Sequence, residues 1–206
     1  MSVELPYAPP IPGLRFRRLR RPADDAVICG LVNAGNVAEG IPHRLSTAQI
    51  ANWLDHPSRL DLDEDILIAE VDGEPVAYAE GGWEQDNDGG RNHATWGQVH
   101  PDWRRRGLGT ALLRWVEDRQ ARVAATHPAG VERRLESWAG ESEAGRSALL
   151  QGHGYQIVRY DYEMERPNQD DIPELPLPDR IELRPALEEH LRRIWETEVE
   201  VFRDHW

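Results

Sequence analysis

The chain has 206 residues, with 37 acidic against 24 basic side chains and a formal charge of −13, a size that fits one ordinary domain with a remainder. The negative balance disfavours binding to a phosphate backbone, so no nucleic-acid partner is expected. A lone Cys29 excludes a disulfide framework and a cysteine-rich zinc site, and no apolar run approaches the roughly 20 residues of a membrane span, so the expectation is a cytoplasmic protein with no membrane partner.

Residues 1–12 are rich in proline and read as a flexible leader. Leu14 to Leu19 then alternates like a strand, and Arg21-Pro22-Ala23-Asp24-Asp25 punctuates it before Val27, Ile28, Leu31 and Val32 recur at helical spacing. Ser46 and Gln49 make a capping-box pattern that predicts a second short helix over 46–56. Ile66 to Val71 and Val76 to Trp83 flank Asp72-Gly73-Glu74-Pro75, which predicts a hairpin, and a third strand is expected from His93 to Val99. An amphipathic helix is predicted from Gly107 to about Thr126 through Leu108, Ala111, Leu112, Trp115, Val116 and Val123. A strand over 131–138, a helix over 143–151 and a strand over 155–165 complete the series. Hairpins alternate with long crossovers, so the fold class is α/β, with helices on a mixed sheet.

The remainder repeats the opening. Residues 168–178 have the acidic, proline-rich composition of a linker, and Arg180 to Ala186 restates the first strand with its Arg-Pro-Ala signature. A helical stripe of Leu191, Ile194, Trp195, Val199 and Phe202 follows. The domains expected are therefore 13–167, a linker at 168–178, and the strand and helix of a second copy at 179–206. One strand and one helix cannot bury a core alone, so this piece is expected to pack on the first domain or on another chain, as in a homodimer.

The chemistry is concentrated between Gln98 and Leu113. A strand end, a turn at Pro101, three arginines and two glycines opening an amphipathic helix stand in succession. Glycines let a ligand approach the backbone, and a helix N-terminus offers unpaired N–H groups with partial positive charge, which suits a pyrophosphate without a metal. No third glycine follows at Leu112, and no Gly-Lys-Ser/Thr loop exists, so neither a dinucleotide fingerprint nor a P-loop is present.

At these residues the chain resembles the GNAT superfamily of acetyl-CoA-dependent N-acetyltransferases. Arg104-Arg105-Arg106-Gly107-Leu108-Gly109 matches its Arg/Gln-x-x-Gly-x-Gly/Ala motif. The His100-Pro101 turn and the repeated opening look most like its tandem-domain members, such as the mycothiol synthases. The resemblance implies acetyl-CoA as co-substrate and says little about the acceptor, for which a small-molecule amine is expected; no metal is expected. It implies that Gln98 and Val99 lend backbone groups to the pantetheine arm, and that Arg104, Arg105, Arg106, Gly107, Leu108, Gly109 and Thr110 hold the pyrophosphate.

Acetyl transfer to an amine needs a base, donors for the thioester oxygen, and protonation of the departing thiolate. The end of the 93–99 strand can supply an oxyanion donor from its backbone. Glu80 and Glu84 on the hairpin strand, and His93, which as a histidine titrates near neutrality, are the candidate bases. Many family members carry a tyrosine acid in the last helix. Aligned on Gly154-Tyr155, that place holds Leu150 and the usual asparagine place holds Glu143, leaving Tyr160 or Tyr162 as substitutes. Leucine has no proton to give, so the alternative reading is a degenerate acetyl-CoA-binding domain. The acidic run at Asp61, Asp63, Glu64 and Asp65 and the turn from Glu84 to Asp88 are expected to attract a cationic acceptor.

Overall fold

The computed structural model describes residues 2–86, 88–162, 164–166, 168, 170 and 172–203. It divides into two compact units, 1–156 and 157–206. The first is a six-stranded mixed sheet in the order β1 to β6, with helices on both faces.

β1 (Ser2–Val3) and β2 (Leu14–Arg18) pair antiparallel. The leader lies against the sheet: Val3, Leu5, Tyr7 and Ile11 pack on the core, and the Tyr7 hydroxyl donates to Asp118 at 2.9 Å. Its alternation of proline with apolar residues lets it bury side chains without needing ladder hydrogen bonds.

α1 (Ala23–Ala38) opens with Asp24 and Asp25, both buried. Arg17 holds Asp24 through two hydrogen bonds of 2.6 and 2.8 Å and Glu70 through one of 2.5 Å. Arg21 holds Asp25 in the same two-pronged way and reaches Asp55 of α2 (Thr47–Asp55). The arginine-and-acid punctuation of the sequence is thus the joint between β2 and the first two helices. Ser46 caps α2 with the full capping box.

β3 (Ile66–Val71) and β4 (Glu74–Gln85) form the hairpin, with Asp72 and Gly73 at φ 52° and 90° making the two-residue turn. β5 (Arg91–Val99) pairs antiparallel with β4 over its whole length. A 3₁₀ turn at Pro101–Trp103 leads to α3 (Leu108–Ala124), then to β6 (Arg133–Glu136) and α4 (Ala144–Gly152). Phe16, Leu67, Ala69, Ala77 and Ala79 meet Leu108, Leu112, Trp115 and Val116 of α3 on one face. Ile66, Ile68 and Tyr78 meet Ile28, Leu31, Ile50 and Leu54 of α1 and α2 on the other.

In the second unit, α5 (Leu191–Val201) forms where the helical stripe predicts it. The two strands expected there do not form among the described residues. In 157–165, Val158 and Met164 are each 94% exposed, and an alternating segment without a pairing partner is not a strand. In 180–186, Arg180 sits at φ 72° and Ile181 N–H bonds the Pro178 carbonyl, which makes a turn.

Candidate active site

β5 and β6 run parallel through the pairs from Arg91↔Arg133 to Ala94↔Glu136, and no pair follows. Beyond that point the strands part, and the opening is a cavity of about 440 Å³ between the end of β5, the N-terminus of α3 and α4. Its wall on the β5 side is Thr95, Trp96, Gly97, Gln98 and Val99.

The register settles which backbone groups face the opening. In an antiparallel ladder a residue directs its N–H and C=O to the same side, and neighbours alternate. His100 N–H bonds the Val76 carbonyl at 2.8 Å, so even-numbered residues address β4. Odd-numbered ones address the cavity: the Thr95 carbonyl accepts from Ser137 Oγ at 2.9 Å, the Gly97 carbonyl from Arg146, and the Val99 carbonyl from Arg104 Nε at 3.4 Å. Gly97 and Val99 therefore present N–H groups to the cavity. Gln98 also lines the cavity, with its backbone directed to the β4 ladder. Any side chain at Gly97 would meet the Tyr78 carbonyl oxygen at 2.6 Å, which is why glycine stands in the middle of this strand.

The other end is the α3 N-terminus. Gly107 caps it at φ 87°, a left-handed conformation that disfavours other residues. The first intrahelical bond is Ala111 N–H to the Gly107 carbonyl, so the N–H groups of Leu108, Gly109 and Thr110 have no partner within the helix. Arg104, Arg105, Gly107, Gly109 and Thr110 line the cavity. Arg106 lies over the Trp103 ring at 4.6 Å, and Leu108 is buried in the core. Arg104 is also tied to Glu39, the residue that caps the C-terminus of α1.

The three candidate bases are scattered. Glu84 is exposed near the end of β4. His93 is buried on the α3 face, with Nδ1 2.8 Å from Gln120 Oε1 and its ring stacked on His127 at 5.2 Å; it does not line the cavity. Glu80 pairs across the ladder with Trp96, and its Oε2 is sealed from solvent without a hydrogen-bond partner. Burial pushes the Glu80 carboxyl up to about 8. Glu80 also raises the pKa of Tyr78, whose hydroxyl burial holds well above its usual range. Tyr78 lines the cavity two residues before Glu80 on the same face of β4.

α4 contributes Gly145, Arg146, Ala148, Leu149 and Leu150, and the residue before it, Glu143, joins them. Leu150 stands in the cavity wall, 9% exposed, while Tyr160 and Tyr162 are 70% and 84% exposed. The acidic run at 61–65 is partly structural: Asp65 is buried against Arg119 at 2.6 Å, and Glu64 pairs with Arg18 at 2.8 Å. Gly97, Ser137 and Arg146 carried no motif. Only the helical spacing of Arg146 from Glu143 and Leu150 could have flagged one of them.

Residues 38–149 match the acetyltransferase (GNAT) family. The chain belongs to that family. This GNAT chain is 40% identical over 86 residues to a mycothiol acetyltransferase of Salinispora tropica, covering 42% of this chain and 24% of that protein. It is 30% identical over 167 residues to a mycothiol acetyltransferase of Geodermatophilus obscurus, covering 79% and 48%. It thus spans about half the length, or less, of the curated relatives it matches. Among solved structures, a GCN5-related N-acetyltransferase of Sphaerobacter thermophilus superposes with a TM-score of 0.60 at 27% identity, over 71% of this chain and 44% of that one. A proposed acetyltransferase of Salmonella typhimurium, solved with its cofactor acetyl-CoA, does so with a TM-score of 0.53 at 20% identity, over 71% and 82%. No helix among the described residues is long and apolar enough to cross a membrane, and no group of three or more metal-ligating side chains occurs among them.

Proposed function

We propose that the domain at 13–167 moves the acetyl group of acetyl-CoA directly to a primary amine of a small molecule. The observation that carries this is the run of inward-facing backbone at Gly97 and Val99 leading to the free N–H groups of Leu108, Gly109 and Thr110. An extended pantetheine arm fits the first as an added strand would, and a pyrophosphate fits the second. The lining also carries apolar side chains suited to an arm of methylenes and amides, Ala79, Leu112, Leu113, Val116 and Leu149.

In this reading the Gly97 N–H donates to the thioester oxygen. Glu80 takes the amine proton, because its neighbour along β4, Tyr78, and its partner across the ladder, Trp96, line the cavity, and its raised pKa suits proton uptake near neutrality. Glu84 and His93 are left with surface and packing roles. The domain works in the cytoplasm, without metal, nucleic acid or membrane. Residues 168–178 link it to the start of a second such domain at 179–206, whose exposed stripe of Leu191, Ile194, Trp195 and Phe202 mediates a homodimer.

Leu150 favours a second reading, a domain that binds acetyl-CoA and does not turn it over. Coenzyme A release measured against a panel of small amines separates the two. Release dependent on one amine class supports transfer, and tight acetyl-CoA binding with no release supports the second.

A further inference from the structure

Arg146 is a cation built into the wall of the cavity. Its guanidinium donates to the Gly97 carbonyl and to the Trp138 carbonyl at 3.3 Å, and its plane lies over the Trp96 ring at 4.1 Å. The nearest carboxylate is Glu143, 3.5 Å away and one helical turn earlier. Two neutral carbonyls and one loose ion pair compensate a buried guanidinium poorly. Its pKa is accordingly lowered, chiefly by burial, against the opposing pull of Glu143 and Tyr78. An arginine nonetheless stays charged at neutral pH, so the site holds a permanent positive charge with room for an anion beside it.

Position says which anion. If the pyrophosphate lies at the α3 N-terminus, an arm following β5 passes Val99 and then reaches Gly97, whose N–H is the donor to the thioester oxygen. Gly97 directs its carbonyl to the same side as its N–H, and Arg146 is bonded to that carbonyl. The guanidinium therefore stands within a few ångströms of the reacting centre. It also projects from the same face of α4 as Leu150, one turn away, where the proton donor is missing.

We infer that Arg146 holds the departing thiolate of coenzyme A by charge, replacing the proton donor absent at Leu150. The amine nitrogen attacks the thioester carbonyl carbon, and the amide C–N bond forms. The C–S bond breaks with its electron pair going to sulfur. The amine proton passes to the Glu80 carboxylate, and the thiolate leaves as an anion paired with the guanidinium, to be protonated by water after release.

This inference rests on the acetyl-CoA reading, and its test keeps the two apart. Calorimetry with coenzyme A asks whether the pocket binds it, and the thiolate absorbance of the bound molecule, followed against pH, reports the charge beside the sulfur. The expected result is binding with a thiol pKa lowered by about one unit or more relative to free coenzyme A. Arg146→Gln should abolish that shift and lower kcat by about 100-fold, Arg146→Lys should restore part of both, and Leu150→Tyr should raise kcat in the Arg146→Gln background. Absence of binding by the unaltered protein overturns the acetyl-CoA reading. Binding with an unshifted thiol overturns the assignment of Arg146 alone, whether or not the variants fold. An Arg146→Gln protein that loses preference for a carboxylated acyl thioester, with the thiol titration unchanged, makes Arg146 an acyl-selecting residue and likewise overturns it.

Discussion

Ser137 Oγ donates to the Thr95 carbonyl at 2.9 Å, one residue past the last paired positions of β5 and β6, Ala94 and Glu136. A side chain thus takes over from the backbone ladder where the strands separate, and it fixes the mouth of the cavity. Ser137→Ala removes one hydrogen bond worth about 1 kcal/mol. The expected outcome is an intact fold with acetyl-CoA affinity reduced by about fivefold, read by calorimetry and circular dichroism.

Gly109 is the second residue of α3, among the N–H groups left without partners. A Cβ there would come 3.2 Å from Leu149 Cδ2, the end of a side chain that can turn aside. Gly109→Val should therefore fold and, on the proposed reading, bind acetyl-CoA at least about tenfold more weakly, because its branches would fill the place proposed for the phosphates. Gly107→Val is expected to cost stability as well, since its backbone sits at φ 87° and a Cβ would meet Pro9 at 3.1 Å. A chelator should leave acetyl-CoA binding unchanged. Binding titrations alongside melting curves separate these effects.

Glu80 should make both stability and activity depend on pH. With its carboxyl raised from 4.5 to about 8, the folded protein holds a proton that the unfolded chain has released. Between those values stability falls as pH rises, and the cost is complete above about 8. Glu80→Gln has no such charge, so its Tm should exceed that of the unaltered protein by about 5 °C at pH 9 and converge with it at pH 4. If Glu80 is the base, turnover of the unaltered protein rises through pH 8, and the glutamine variant loses about 100-fold. Parallel melting and rate profiles check both halves.

α5 exposes Leu191, Ile194 and Trp195, and Phe202 just past its end is exposed as well. A helix of 11 residues is marginal in water without a packed face. Deleting residues from 179 onward should convert a dimer to a monomer by light scattering while leaving acetyl-CoA binding intact. A monomer before and after deletion would reject the homodimer.

The local chemistry of the sequence determined most of the elements. Ser46 and Gln49 announced α2 through a capping box contained within one turn, and Asp72-Gly73 announced the β3–β4 turn through its need for positive φ. Gly107 and Gly109 marked the α3 end of the cavity, because helix-end chemistry is written in adjacent residues. Long-range geometry was not legible. Whether 2–12 packs and whether 155–165 forms a strand depend on a partner surface, which alternation alone does not supply. Only the β4–β5 register gave the cavity to Gly97 and withheld the backbone of Gln98, and only the separation of β5 from β6 brought Arg146 beside that carbonyl. Burial, which no single residue encodes, made Glu80 the titrating candidate and left His93 packed against Gln120.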